Sequence, residues 1–423
     1  MGANRAPLLS AERLARMVLS PPPMQPAHSP AWTSGRLRSI DLMRGAAALA
    51  VVVYHSINAG STPPASATWY PWLSELAEFG QMGVPLFFVL SGFCIHFGWA
   101  RAHSRGEDDH LAFLPFWRRR LHRLYPPYLV ALVLSIGLAL AVSFVRPDLA
   151  LRGYPTPDRG WLGLDLLAHA AMVHGFIPFF DRAGGNPPFW TLAREEYFYL
   201  MYFGLLAARR RLGPLRAVLG VGVVGLLFPF CFRPFLAESS PWWDLINSSS
   251  IALWLQWALG FLAVEAFFGL VRLPALASDL RLVPLWMAAA IACKSFAPVA
   301  LAPICWGLAF FTLVNGLVAR ERAGRGFEGG WARWLAQAGV YSYSIYLVHH
   351  PVRGLVKRAL EGWIVNGEVA TFVVANVAVV AAGYGAGRLF FELVERRFLR
   401  TAAVPEAPQV PEATTVQRSS APG

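Results

Sequence analysis

The chain has 423 residues, of which 56% are hydrophobic and only 15% charged. At that length a soluble protein would divide into about two or three domains, but apolar runs of about 18 to 25 residues recur from end to end, so the composition specifies an all-α, polytopic membrane protein. The formal charge of +12 comes almost wholly from arginines set between those runs, which excludes a nucleic-acid-binding face, and no segments of about ten residues alternate in polarity as an outer-membrane barrel requires.

The first 35 residues contain SPPPMQPAHSP and no apolar core of signal-peptide type. They are expected to form a disordered cytoplasmic arm, 1–35. The segment 401–423, TAAVPEAPQVPEATTVQRSSAPG, reads as a similar tail, leaving 36–400 as the membrane-embedded domain. Hydrocarbon forces each backbone N–H to find its partner within its own helix. Candidate spans fall at 41–58, 82–100, 124–145, 188–208, 214–236, 249–271, 282–297, 298–318, 335–356 and 369–393, about ten transmembrane helices. The seventh and eighth touch, with only a tight turn at Lys294–Pro298 between them.

A further stretch, LDLLAHAAMVHGFIPFF (164–180), is short for a bilayer. As a span it would place the cluster RRRLGPLR (209–216) outside; as an interfacial or re-entrant helix it keeps that cluster inside, as the positive-inside bias favours. With both termini cytoplasmic, ten spans put 25 Lys/Arg inside and seven outside, with Arg44, Arg194, Arg233, Arg353 and Arg388 within spans. No internal repeat is visible, which argues against an inverted-repeat transporter.

The first span carries RGAAALAVVVYHS (44–56). Eleven steps of 100° come to about 1100°, so Arg44 and His55 share one helix face about 16 Å apart along the axis. Arg44 belongs near the cytoplasmic surface and His55 deep in the membrane toward the outer side. An ionisable group there marks a functional site. The plainer alternatives are snorkelling for Arg44 and a structural hydrogen bond for His55. The second span, with FFVLSGFCI, holds Ser91 and Gly92 near its middle. At the mouth of the third, RRRLHRLYPPY sets Arg120 and Arg123 at i, i+3, where they can jointly grip an anion or merely flank the membrane. PFWTLAREEYFYL then brings Glu195 and Glu196, and YSYSIYLVHHPV brings His349. His349 and His350 point about 100° apart, against joint metal binding.

Other patterns carry no chemistry. GVGVVG (220–225) and GYGAG (383–387) sit inside apolar spans and read as small residues for close helix packing. No P-loop or nucleophile elbow occurs. Cys94, Cys231, Cys293 and Cys305 lie in apolar stretches, as small hydrophobes rather than disulfide partners.

The set SIDLMRGAAALAVVVYHS, GQMGVPLFFVLSGFCI, RRRLHRLYPPY, FWTLAREEYFYL and YSYSIYLVHHPV, in that order over about residues 36–400, resembles the acyltransferase 3 family of integral membrane O-acyltransferases. Two positions depart from the family pattern. Arg194 replaces an apolar residue before the paired glutamates, and Pro85 stands where an acidic residue is common and can kink the second helix's outer end.

The resemblance implies transfer of an acyl group, usually acetyl, from cytosolic acyl-CoA to a hydroxyl of a glycan or glycosylated acceptor, in the bacterial cytoplasmic membrane. Acyl-CoA is then a donor substrate, with no permanently bound cofactor and no metal. Arg44, Arg120 and Arg123 would hold the coenzyme's phosphates. His55 would be the general base, since imidazole titrates near working pH. Glu195 is expected to orient His55, with His349 assisting. Ser91 would bind substrate by donating to the developing oxyanion, or simply permit close helix contact, and Glu196, pointing about 100° away from Glu195 and so the poorer partner for His55, is expected to bind substrate. The competing reading is a transporter or flippase that uses the same charges to pass a substrate or protons.

Overall fold

The computed structural model describes residues 37–58, 68–145, 159–180, 185–232, 234–237, 239–296, 301–360 and 369–399. The arm expected over 1–35, the tail over 401–423 and residues 297–300 of the expected turn lie outside them.

Helix α1, Arg38–Asn58, runs unbroken through both Arg44 and His55. Its first N–H groups have no carbonyl within the helix to meet. Glu321 supplies the acceptors: Arg38 N donates to Oε1 at 2.9 Å, and Ser39 donates to Oε2 from N at 2.8 Å and from Oγ at 2.5 Å. A short helix α2, Tyr70–Glu78, leads through a 3-10 turn into α3, Gly83–Ser104. Pro85 falls in the first turn of α3, where a missing N–H costs nothing, and the helix continues uninterrupted past it. Helix α4, Phe113–Val145, begins well before the expected 124, so Arg120 and Arg123 lie inside it.

The 164–180 stretch does not make one helix. Helix α5, Arg159–Ala170, stops, Met172 takes φ 57°, and a 3-10 turn follows at His174–Phe176. Helix α6, Trp190–Leu212, ends in three arginines that complement its dipole, then at Gly213 with φ 81°. Pro214 starts α7, Pro214–Phe232. Ser240 and Ser249 accept from Trp242 N and Ala252 N to cap α8, Pro241–Asn247, and α9, Ser250–Phe267. Then come α10, Val283–Phe296, α11, Ala302–Arg322, α12, Gly330–Val340, α13, Ser342–Ala359, and α14, Val369–Leu393.

Seven helical stretches among the described residues are long and apolar enough to cross a membrane, rather than the ten expected. They are Arg38–Ile57, Tyr70–Ser104, Phe113–Val142, Pro214–Phe232, Pro241–Phe267, Ala302–Arg322 and Val369–Leu393. The other three fall short for separate reasons. Helix α6 carries Arg194, Glu195, Glu196 and Arg209 to Arg211. The apolar part at Leu280–Cys293 is short. The expected span 335–356 is broken at Tyr341, with α12 packed along α1 and α13 along α14.

Glycines let helix backbones meet. A Cβ on Gly92 would overlap the Trp257 carbonyl, and one on Gly260 the Val89 carbonyl, so α3 and α9 cross with their main chains in contact. Gly45 and Gly339 do the same for α1 and α12, and Gly387 for α14 against Ile345. In GVGVVG, Gly225 abuts the Ile251 carbonyl while nothing lies near Gly220. All four cysteines are free.

The end of the bundle that holds Arg44, Arg120, Arg123 and Arg209 is called here the arginine end. There Arg209 grips the buried Glu265 with Nε at 2.9 Å and Nη2 at 3.0 Å, and His96 Nε2 reaches the same carboxylate at 2.9 Å. This ties α3, α6 and α9 together. At the opposite, histidine end, Ser56 donates to Asn376 Oδ1 at 2.7 Å, joining α1 to α14.

Candidate active site

A cleft of about 1100 Å³, open space at its mouth included, lies among α1, α3, α4, α6 and α13. Arg44, Arg120 and Arg123 line it toward the arginine end. All three are within electrostatic reach of Cys94, which shares the wall. The Arg120 guanidinium lies 5.5 Å from the Phe116 ring centroid, and Arg123 Nε is buried with no hydrogen-bond partner among the described residues. A buried donor left unmet costs about 1–3 kcal/mol. Three cations around one cleft with a donor to spare suit a polyanion.

The middle of the cleft is polar on one side. Ser91 Oγ donates to Glu195 Oε2 at 2.6 Å and accepts from Trp257 Nε1 at 3.2 Å. Tyr199, one turn along α6, also hydrogen-bonds Glu195, while Glu196 accepts from Trp117 Nε1. Val84, Phe87, Phe88 and Leu192 give the cleft an apolar wall.

Tyr346 and Thr191 border the cleft toward the histidine end. Thr191 Oγ1 donates to the Tyr346 hydroxyl at 2.7 Å, and Tyr346 in turn donates to the Pro188 carbonyl at 3.1 Å. The Tyr346 ring lies 5.7 Å from that of His349. His349 Nδ1 is 2.8 Å from the Tyr346 carbonyl and 3.2 Å from that of Ile345, and its Nε2 is 3.3 Å from His55 Nδ1. His55 Nδ1 also faces the Val51 carbonyl at 2.9 Å. Carbonyls accept only, so the network assigns the proton to Nδ1 on both rings. His349 Nε2 is then an acceptor for the His55 N–H, and the lone pair on His55 Nε2 has no partner among the described residues.

The turn of α13 behind this pair is shaped by Pro351. A proline has no N–H for the carbonyl four residues earlier. That carbonyl, on Leu347, accepts instead from Asn186 Nδ2 at 2.7 Å, which pins the chain entering α6 against α13.

The residues singled out in the sequence therefore divide into two groups. Arg44, Arg120, Arg123, Ser91, Glu195 and Glu196 share the cleft. His55 and His349 form a pair beyond its Tyr346 end. The expected partnership of Glu195 with His55 is not what the chain forms: Glu195 is engaged by Ser91 and Tyr199, and His349 holds the His55 Nδ1 side. Ser91 is likewise not a free oxyanion donor, because its proton goes to Glu195. Arg194 is fully buried and donates to the Ser248 carbonyl at 2.7 Å and the Gly175 carbonyl at 2.9 Å, so the unusual charge braces two loops against α6. Sequence reasoning passed over Tyr343 and Tyr346, whose i, i+3 spacing on α13 put both on the cleft, and Asn186, whose need follows from Pro351.

The described residues thus form a helical bundle of membrane type with a cleft lined by three arginines and a histidine pair beyond its Tyr346 end. The chain belongs to the acyltransferase 3 family, whose model, described as an acyltransferase domain, matches residues 37–388. It is 26% identical over 368 residues to the acyltransferase MdmB of Streptomyces mycarofaciens, covering 81% of this chain and 89% of that protein. It is 28% identical over 189 residues to the O-acetyltransferase OatA of Staphylococcus aureus, 42% of this chain and 25% of the relative. With the putative peptidoglycan O-acetyltransferase YrhL of Bacillus subtilis the figures are 30% over 167 residues, 38% and 22%. The chain thus spans most of MdmB and about a quarter or less of the length of the other two. No solved structure matches. Family membership and these relatives support an acyltransferase of bacterial membranes.

Proposed function

We propose that the protein is an acyl-CoA-dependent O-acyltransferase of the bacterial cytoplasmic membrane, which moves an acetyl or related acyl group to a hydroxyl of a glycan or glycosylated acceptor. The observation that carries this reading is a cleft lined by Arg44, Arg120 and Arg123 at one end and bordered at the other by Tyr346, behind whose ring His349 and His55 are paired.

In this reading the arginine end is cytoplasmic and the three guanidiniums hold the coenzyme's phosphates, as forked, permanently charged donors do. The pantetheine arm lies along Ser91, Glu195 and Tyr199, which offer acceptors and hydroxyls to its amides. The thioester reaches Tyr346. His55 Nε2 takes the proton of the acceptor hydroxyl. The imidazolium's Nδ1–H keeps both of its acceptors, the Val51 carbonyl and His349 Nε2. The acceptor enters from the outer side.

Helices α6, α10 and α13 complete ten crossings in this reading, with both termini in the cytoplasm. The polarity of α6 and α13 follows from their position, since both wall the cleft rather than facing lipid on all sides. The names of OatA and YrhL, an O-acetyltransferase and a putative peptidoglycan O-acetyltransferase, favour acetyl and a cell-surface glycan as first candidates.

The test is to incubate membranes containing the full chain with radiolabelled acetyl-CoA and a panel of glycans. Label in an acceptor supports the reading. Acceptor carried across the membrane unmodified, with no acyl-CoA bound, supports a transporter instead.

A further inference from the structure

We infer that Arg353 is a catalytic residue whose guanidinium stabilises the oxyanion formed on the donor's carbonyl oxygen, an inference that rests on His55 being the base.

The reaction builds negative charge beside His55, in surroundings where preorganised donors count most. The acceptor oxygen bonds to the thioester carbon as its proton passes to His55 Nε2. The carbonyl's electron pair moves onto its oxygen. On collapse the C–S bond breaks, sulfur leaves with the pair and takes the proton from His55, and ester and coenzyme A thiol remain. Something must face that oxygen.

Among the described residues, the hydroxyl donors on the Tyr346 side of the cleft are engaged. Helices α1 and α13 run continuously through His55 and His349, so their backbone N–H groups serve the helix, and Pro351 has none. Ser91 donates to Glu195, Thr191 to Tyr346, and Tyr346 to the Pro188 carbonyl.

Arg353 is different. It sits one turn beyond His349 on α13, within electrostatic reach of His55, His349 and His350. His350 lies close to the base, its ring centroid 5.7 Å from that of His55. Arg353 Nη1 is 3.4 Å from His350 Nε2, and its buried Nε has no hydrogen-bond partner among the described residues. Helix-dipole stabilisation does not account for it, because α13 runs on to Ala359, more than a turn further, and the dipole acts over the last turn. A permanent cation with a buried, unused N–H beside the base is the arrangement an oxyanion needs.

The test compares two ligands of the purified full chain in lipid nanodiscs: acetyl-CoA, and trifluoroacetonyl-CoA, a ketone in place of the thioester that adds water to give a tetrahedral adduct. An oxyanion donor distinguishes them, since it binds the transition state rather than the ground state. Arg353→Gln should weaken the ketone about 100-fold while acetyl-CoA stays within about twofold, in line with the loss of one oxyanion donor. Arg353→Lys, which keeps the charge, should recover about tenfold of that loss, and it decides the matter by the same ratio if the Gln variant does not insert. Equal weakening of both ligands would overturn the assignment in favour of ground-state donor binding. No change in either would overturn it in favour of an anchor to lipid phosphate. Failure of the wild type to bind acetyl-CoA at all would count against the acyltransferase reading itself.

Discussion

His55 Nδ1 and His349 Nε2 lie 3.3 Å apart, joining α1 and α13 at the end of the bundle opposite the buried Arg209–Glu265 pair. The contact makes a histidine, and not a carboxylate, the partner of the proposed base. A neutral partner orients the ring and fixes its tautomer but adds no full charge to an imidazolium. His349→Phe should therefore lower kcat by about 10- to 100-fold, less than the loss of the base, since general-base catalysis contributes typically about 10²- to 10⁴-fold. The double variant His55→Ala with His349→Phe should be no slower than His55→Ala alone, because groups acting as a unit are not additive. Additive losses would separate the two roles.

The arginine cluster makes a prediction about affinity alone. Arg123→Ala should raise the Kd for acyl-CoA about tenfold or more, the worth of a charge-assisted hydrogen bond. The change should shrink at high salt, and the protein should remain inserted. Binding can be followed by titration calorimetry in nanodiscs. Unchanged affinity would remove Arg123 from the phosphate site.

Glu195 separates what the sequence suggested from what the chain forms. Because its carboxylate is held by Ser91 and Tyr199, Glu195→Gln should raise KM for acyl-CoA and leave the acid limb of the kcat profile in place. A displaced acid limb would restore Glu195 to the base's side.

The buried ion network at the arginine end is a matter of stability. Glu265 and His96 are both fully buried, and Arg209 depends on the same carboxylate. Glu265→Ala takes from Arg209 and His96 the carboxylate they share, and removal of one member of such a buried pair costs about 3–5 kcal/mol. Thermal unfolding of the purified variant should show a large drop, whereas Glu392→Ala, at an exposed pair with Arg396, should show almost none.

Much of this was legible in the sequence because it resides within single helices. The arginine and histidine of α1, the i, i+3 arginines of α4 and the paired glutamates of α6 follow from spacing and the 100° step. Depth between helices does not. The contact of His55 with His349 depends on how α13 slides along α1, and the separation of Glu195 from His55 depends on the antiparallel course of α6. Neither offset leaves a mark in either segment. The break at Tyr341 was hidden for a similar reason: α12 and α13 together read as one apolar run, and only the close approach of Gly45 and Gly339 shows α12 committed to α1. Helices walling a polar cleft also lose the hydropathy by which spans are recognised, so the carboxylates that α6 brings to the cleft are among the residues that lower its apolar signal.

The most direct test of the account compares wild type and His55→Ala for transfer of label from radiolabelled acetyl-CoA to acceptor glycans, with acyl-CoA binding measured on both. The account predicts that both bind the donor and that only the wild type forms labelled ester and releases coenzyme A thiol at a rate above background. Equal transfer by the two proteins would contradict it.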